Sequence, residues 1–408
     1  MSNNITPVKS SERYIILDFL RGVALLGICL ANYPEFSLYT FQKSDVVASM
    51  PTAEIDNVIR FFQYLFIDGK FYSLFSLLFG IGFSIILSHI IQKGGNGINI
   101  FYRRMAVLAL IGFLHLMFIW SGDILLLYAL IGLLLPLFRN VSDKRLLTIS
   151  ALLIFFPIVM DGIKELSGGQ LDLAVPFIKA THFFNGKTGI NDDNFGVWLR
   201  DGQHYSDVLR FTLPGAFIRC QEFVEGNRVF KVLGLFLIGL CIGRNKIYAN
   251  LEANKNIIKK IRFYSIIIGF PTSCVFAWNA VSGRPLGLTG SAVLYAISVI
   301  PMSFAYISSF CIWYMKNNNS AVLKIMAAPG RMALTNYVGQ SVFGMIIFYG
   351  IGFGLGASMG LVYVELIALA VFIFQVIISH VWMHYFQYGP LEWIWRMMTY
   401  RKRLKILK

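Results

Sequence analysis

The chain has 408 residues, of which 56% are hydrophobic and only 14% are charged, whereas soluble domains carry about 25% charged residues. An apolar excess of this size excludes an ordinary soluble domain and predicts an all-α, polytopic membrane protein whose partner is the lipid bilayer. The formal net charge of +15 would suggest nucleic acid binding in a soluble protein. Here the basic residues cluster in short loops between apolar segments, so we expect no nucleic acid partner. The five cysteines form no CxxC pair, so we expect neither a metal site nor a disulfide framework.

Ten segments are apolar enough to be predicted as membrane helices, since a span needs about 20 mostly apolar residues. They are 14–33, 71–92, 104–121, 123–138, 146–162, 229–243, 261–281, 288–314, 332–350 and 361–383. Residues 54–68 are a weaker candidate, and their acidic residues favour an interfacial helix. Lysine and arginine, among them Lys9, Arg13 and Lys93, concentrate in alternate loops. This pattern predicts that both termini face the cytoplasm.

The spans fall into three regions along the chain. Residues 1–162 are predicted to form an N-terminal membrane region of five helices, and residues 163–228 an extracytoplasmic loop. Residues 229–408 are predicted to form a C-terminal membrane region that ends in an interfacial helix and a basic tail on anionic lipid. The long loop is either a lid or acceptor-binding cap, or a partly helical connection.

Charged residues inside the first two spans are functional candidates, although pairing between helices is the competing explanation. Asp18 and Arg21 are three residues apart on one helix and can pair with each other. Asn32 lies on the same face near the outer end. These three residues either anchor the helix or contact a substrate. Lys70, at the outer start of the second span, either binds an anion or extends to the interface.

The stretch 104–138 predicts a hairpin of two antiparallel helices that must pack together, because only a short turn joins them. His115 lies below the turn, Asp123 at the turn, and Tyr128 at the depth of His115 on the returning helix. Histidine is the side chain most easily tuned for proton transfer near neutral pH, and a nearby carboxylate fixes its tautomer. We therefore predict a catalytic group here, in which His115 meets Asp123 directly, through water or through a neighbouring helix. The alternatives are that His115 is a buried polar residue with satisfied hydrogen bonds and that Asp123 is a plain N-cap.

The segment APGRMALTNYVGQSVFG places Arg331 at the predicted cytoplasmic start of a helix, where an arginine and free backbone N–H groups can bind phosphate. The alternative is that Arg331 only follows the excess of basic residues on the cytoplasmic side of membrane proteins. Asn336 and Gln340 follow one helical turn apart. Their amides either hold helices together or line a site.

Five segments together resemble the YeiB-like family of bacterial inner-membrane proteins, known as domain of unknown function 418. They are LDFLRGVALLGICLAN, KFYSLFSLLFGIGF, RRMAVLALIGFLHLMFIWSGDILLLYALIGLL, GRMALTNYVGQS and GPLEWIWRMMTY. The resemblance implies a multi-pass protein of the bacterial cell membrane. It also implies a distant similarity to multi-span acyltransferases, which move acyl groups from cytoplasmic acyl-CoA to sugars or lipids outside. The opening motif at residues 18–22, with Asn32, carries that similarity.

In the heparan glucosaminide acetyltransferase branch of those enzymes, the key histidine follows the first span. Residues 34–70 contain no histidine here, so the role moves to His115. Under the acyltransferase hypothesis, Arg21, Arg104 and Arg331 hold the phosphates of acyl-CoA, which is a co-substrate and not a permanently bound cofactor. His115 then serves as general base, or takes the acyl group, for a hydroxyl or amine of an extracytoplasmic glycan or small molecule.

The alternative function is a transporter or permease, with Asp18, Arg21, His115 and Asp123 along a substrate or proton path. Transporters more often show internal repeats or helix pairs broken by proline, and the sequence shows neither clearly. This favours the enzyme modestly. A scaffold for other membrane proteins is a third possibility, and no protein partner is indicated.

Overall fold

The computed structural model describes residues 14–92 and 97–408, so Lys9, Arg13 and Lys93 of the orientation argument lie outside the described residues. The chain is 78% helix, and its described part contains no strand. The N-terminal helices are α1 (Ile15–Phe36), α2 (Ser44–Ala48), α3 (Ala53–Phe66), α4 (Lys70–Gln92), α5 (Gly97–Phe118), α6 (Leu125–Gly132) and α7 (Asp143–Leu166). The remaining helices are α8 (Val175–Thr188), α9 (Trp198–Asp201), α10 (Tyr205–Glu225), α11 (Arg228–Arg244), α12 (Lys255–Val281), α13 (Gly287–Lys316), α14 (Ala321–Arg331), α15 (Ala333–Phe348), α16 (Leu361–Tyr385) and α17 (Pro390–Tyr400). The prediction of an all-α membrane bundle is confirmed.

Each of the ten predicted spans contains a helix, but the helices differ in length. In the described residues, seven helical segments are long and apolar enough to cross a membrane. An eighth arises if α10 and α11, which meet at an angle of 65°, form one broken span. α6 has eight residues, which span roughly 12 Å, and α15 has 16 residues. The count of ten and the orientation therefore stay predictions.

The centre of the bundle is α1, which packs against α4, α14, α15 and α16. The contact between α1 and α14 is made by backbone, because a Cβ atom at Gly22 would overlap the carbonyl oxygen of Met326. In the same crossing, a Cβ atom at Gly330 would overlap the carbonyl oxygen of Asp18. Small residues allow this close approach between membrane helices. It brings the polar start of α1 next to Arg331 at the end of α14.

The periphery is apolar. The most hydrophobic stretch of α12 is only 17% buried, against 56% for α1, and Phe263, Ile267 and Phe270 are exposed on it. These side chains suit a lipid environment. Because α1 lies at the centre of the bundle, its charged residues belong to the interior, as expected for charges inside a membrane protein.

The segment predicted as a long loop, 163–228, is largely helical. It forms α8, α9 and α10, which agrees with the partly helical alternative. α10 packs against α8 and α5, so this segment reaches the hairpin that carries His115. The weak candidate 54–68 forms α3, and the predicted interfacial helix near the C-terminus forms α17.

Candidate functional site

A cavity of about 780 Å³ runs along α1 inside the bundle. Asp18 near the start of α1 and Glu35 near its end both line this cavity. At 1.5 Å per residue these two positions are roughly 26 Å apart along the helix, close to the thickness of a bilayer hydrocarbon core of about 30 Å. Aromatic residues, including Tyr72, Phe79 and Tyr128, line the stretch between them. The cavity therefore extends across most of the bundle.

One end of the cavity, which we call the arginine end, is lined by Arg21, Arg104, Arg331 and Arg396. They come from four helices, α1, α5, α14 and α17. Arg21 Nη1 is 2.8 Å from Asp18 Oδ1, so the predicted pair on α1 is present. The guanidinium carbon of Arg104 lies 3.6 Å from the centre of the Trp395 ring, a cation–π contact.

The helix α17 is fixed to this end by a carboxylate. Glu392 accepts hydrogen bonds from the backbone N–H groups of Leu334 and Thr335, at 2.6 and 3.2 Å, and from the Thr335 hydroxyl. Burial raises the pKa of the Glu392 carboxyl, and these donors oppose that shift. Trp395 Nε1 donates to the carbonyl oxygen of Arg104 at 2.9 Å. These bonds hold Trp395 and Arg396 against the cavity.

The opposite end, which we call the mixed-charge end, carries both signs of charge. Its lining includes Glu35, Arg60, Asp68, Asp161, Arg219, Arg228 and Lys231. Lys231 Nζ donates to the carbonyl oxygen of Gly226 at 2.8 Å and lies 3.8 Å from the centre of the Tyr295 ring. The mixed-charge end therefore offers charged and hydrogen-bonding groups together with aromatic faces.

Nowhere in residues 14–92 and 97–408 do three His, Cys, Asp or Glu side chains gather closely enough to hold a metal ion.

Two of the three hairpin residues predicted as catalytic, His115 and Asp123, meet directly, whereas Tyr128 does not contact them. His115 Nδ1 lies 2.8 Å from Asp123 Oδ2, and His115 Nε2 lies 2.9 Å from Ser341 Oγ. Asp123 Oδ1 also accepts from the backbone N–H of Leu126 at 2.7 Å, so Asp123 contacts both the first turn of α6 and the histidine. We call His115, Asp123 and Ser341 the His115 network. All three are 1% exposed.

The His115 network lies one layer behind the cavity wall, and none of its three residues lines the cavity. Tyr337 and Ile124 form the wall at this level. The ring of Tyr337 is 5.4 Å from the ring of His115, centre to centre. The Tyr337 hydroxyl accepts the backbone N–H of Ile124 at 3.3 Å. Tyr337 therefore separates the network from the cavity and contacts both.

Arg219 holds the turn of the hairpin. Its Nε donates to the carbonyl oxygen of Asp123 at 2.8 Å, and its Nη2 donates to that of Gly122. Its Nη1 pairs with Glu222. Since Arg219 belongs to α10 and also lines the cavity, it links the segment 163–228 to the position of Asp123.

The other residues predicted from the sequence either line the cavity or are buried outside it. Asn32 and Tyr128 line the cavity, and the Tyr128 hydroxyl lies 2.7 Å from Ser76 Oγ. Lys70 is fully buried; its ammonium donates to the carbonyl oxygen of Tyr64 and lies 4.8 Å from the centre of the Phe276 ring.

Asn336 and Gln340 lie between helices and do not line the cavity. Asn336 Nδ2 donates to Ser379 Oγ at 2.9 Å, and Gln340 Nε2 donates to Gln375 Oε1 at 3.2 Å. Gln375 Nε2 in turn donates to the carbonyl oxygen of Asn336 at 2.9 Å. These bonds join α15 to α16, which is the structural alternative considered for the two amides.

Several residues of the site have no prediction from the sequence, among them Arg219, Tyr337, Ser341 and Arg396. Ser341 follows Gln340 in a segment already singled out, but a serine in a membrane helix usually bonds to its own backbone. Arg219 falls in the predicted loop and Arg396 in the basic C-terminal part. For Arg219 and Arg396, the only indication in the sequence was the positive charge of the side chain.

Comparison with known proteins shows what the chain is similar to. Residues 242–402 match the family described as "Protein of unknown function (DUF418)". The chain is 28% identical over 410 residues to "Uncharacterized protein YxaH" of Bacillus subtilis (strain 168), covering 98% of this chain and 97% of the relative. It is also 28% identical over 412 residues to "Uncharacterized protein YeiB" of Escherichia coli (strain K12), covering 96% and 97%. Over nearly its whole length the chain is therefore similar to uncharacterised bacterial proteins that include YxaH and YeiB, and its residues 242–402 match DUF418.

The matched segment begins at the end of α11 and includes α12 to α17. It contributes Arg331, Arg396, Tyr337 and Ser341 to the site. His115, Asp123 and Arg104 precede it. The site is therefore assembled from residues within the matched segment and residues that precede it.

Proposed function

We propose that this protein transfers an acyl group from acyl-CoA, bound at the arginine end, to an acceptor that enters from the mixed-charge end. The cavity carries the proposal, because it joins a cluster of arginines to a second polar end roughly 26 Å away along α1. With the arginine end at the cytoplasmic face of a bacterial inner membrane, as the loop charges favour, the donor enters from the cytoplasm. The acceptor is a hydroxyl or amine of an extracytoplasmic glycan or small molecule.

The charges at the arginine end suit the phosphates of coenzyme A. Four guanidinium groups line this end, against the carboxylates of Asp18 and Glu392. The Glu392 carboxylate is already engaged by the start of α15. Arginine binds phosphate through paired, charge-assisted hydrogen bonds. A phosphorylated ligand would therefore offset an excess of positive charge that is costly inside a bundle.

The acid–base part of the proposed reaction falls to His115. A neutral His115 that donates from Nδ1 to Asp123 has an unprotonated Nε2, which is the form required of a general base. Asp123 holds this tautomer and stabilises the imidazolium that forms when the proton is taken. Arg219 keeps the carbonyl groups of Gly122 and Asp123 in place, and with them the turn.

The test is binding of acetyl-, butyryl- and palmitoyl-CoA to the detergent-purified protein, followed by thermal unfolding. A ligand present at about 100 times its Kd should stabilise the protein by about 2.7 kcal/mol. Arg331→Ala should lose this stabilisation. Arg145→Ala, which removes an exposed arginine outside the cavity, should keep it. If no acyl-CoA shifts the unfolding of a cooperatively melting wild-type protein, the proposal is wrong.

A second candidate function is transport of a phosphorylated anion. It is favoured by the break between α10 and α11, which are bent by 65° and place Arg219 and Arg228 at the cavity. Broken helices at a central site are typical of secondary transporters. In proteoliposomes loaded with acceptor, a transporter would accumulate intact radiolabelled acetyl-CoA, whereas a transferase would move only the acetyl group.

A further inference from the structure

Both ring nitrogens of His115 are engaged by side chains. Nδ1 contacts Asp123 Oδ2 at 2.8 Å, and Nε2 contacts Ser341 Oγ at 2.9 Å. A neutral imidazole has one donor and one acceptor. When Nδ1–H donates to the carboxylate, the acceptor lone pair on Nε2 points at the Ser341 hydroxyl. The proton that His115 is placed to remove first is therefore that of Ser341.

We propose that Ser341 is the nucleophile, carrying the acyl group as an ester between acyl-CoA and the acceptor. This inference rests on the proposed acyl transfer and names the residue through which it passes. A hydroxyl activated by a histidine that a carboxylate orients is a recurring arrangement for covalent acyl transfer, and it is recognised by geometry and not by fold.

The two steps balance without another reactant. In the first step Ser341 Oγ attacks the thioester carbonyl carbon and its proton passes to His115 Nε2. The C–S bond breaks, and the thiolate of coenzyme A takes that proton. In the second step the acceptor hydroxyl attacks the Ser341 ester and gives its proton to His115. That proton returns to Ser341 Oγ as the ester bond breaks.

Tyr337 lies between the cavity and Ser341. It precedes Ser341 by four residues on α15, so the two side chains share one face of the helix. Tyr337 lines the cavity and contacts the His115 ring. The path of the acyl group to Ser341 therefore runs past the Tyr337 ring. The Tyr337 hydroxyl accepts the N–H of Ile124 and keeps its own proton, which it can donate to the oxyanion formed in either step.

The experiment traps the acyl-enzyme in the full-length, detergent-purified protein. The wild type is incubated without acceptor with acetyl-, butyryl- or palmitoyl-CoA, quenched in acid and analysed by peptide mass spectrometry. We expect the acyl mass increment on the peptide that contains Ser341, at up to one acyl group per chain. Ser341→Ala should carry no acyl group and lose transfer by at least about 100-fold, and Ser341→Cys should regain an acyl group as a thioester.

The matched control is Ser308→Ala, which removes another buried serine whose hydroxyl donates only within its own helix, to the carbonyl oxygen of Phe304 at 2.6 Å. This variant should be acylated like the wild type. Thermal unfolding and acetyl-CoA binding of Ser341→Ala show whether it is folded.

The outcomes separate this inference from the proposed function. Transfer by the wild type with no acylated Ser341, together with full activity of a folded Ser341→Ala, would overturn the nucleophile and leave acyl transfer standing. A wild type that binds no acyl-CoA would overturn both. An acyl group trapped on Ser341 and absent from Ser341→Ala supports both.

Discussion

The His115 network and the arginine end are two polar regions inside one apolar bundle, and they satisfy their charges in opposite ways. In the network, each polar atom of His115 and both carboxylate oxygens of Asp123 meet a protein group, away from the cavity. At the arginine end, four guanidinium groups face a cavity that holds fewer carboxylates. A closed network stabilises the fold by itself, whereas a cluster of like charges that faces a cavity is stabilised further when an oppositely charged ligand binds. Substitutions in the two regions should therefore affect stability and binding differently.

The largest effect is expected for His115→Ala. Acyl transfer should fall by about 10³-fold, since positioned acid–base groups contribute about 10²–10⁴-fold. The free energy of unfolding should fall by about 1–3 kcal/mol, because Asp123 and Ser341 each lose a buried partner. Steady-state kinetics and thermal unfolding measure the two changes. His182→Ala, at an exposed histidine of α8, is the control; equal activity of the two variants would remove His115 from the mechanism.

Arg104→Ala should show the reverse pattern. Loss of one of the arginines proposed to hold the phosphates should raise the Kd for acyl-CoA by about 10–100-fold, in line with about 1.5–3 kcal/mol for a charge-assisted hydrogen bond. The melting temperature of the ligand-free protein should change little, because the substitution also removes repulsion among like charges. Isothermal titration calorimetry and unfolding without ligand test this. A strongly destabilised protein with unchanged Kd would show that the arginine end is a closed, structural cluster too.

Asn336→Ala should give the smallest effect. It distinguishes a role of Asn336 in holding helices together from a role in ligand binding. The side-chain amide of Asn336 donates hydrogen bonds to Ser379 Oγ and to the Pro329 carbonyl oxygen. Such contacts in membrane helices average about 0.6 kcal/mol. A small loss of unfolding free energy with unchanged Kd for acyl-CoA is expected. A changed Kd with unchanged stability would instead place Asn336 in the binding site, as considered from the sequence.

Much of the fold could be predicted because its causes are local. Runs of apolar residues mark the helices wherever lipid replaces water as solvent, and each of the ten predicted segments contains one. The approach of His115 to Asp123 was foreseeable because a turn of few residues joins their helices. The length of α6 could not be foreseen, because an apolar run reveals composition but does not reveal where the helix ends.

The chain alone determined that charges on α1 and in the hairpin must lie inside a bundle, because lipid cannot solvate them. Only the tertiary structure decided which partner each one has. Ser341 is 226 residues from His115 along the chain, and Arg219 is 96 residues from Asp123. Contacts at such separations depend on how several helices cross, as at Gly22 and Gly330 where backbones touch. No local pattern encodes a crossing, since it follows from the combined packing of surfaces that only meet in the folded protein.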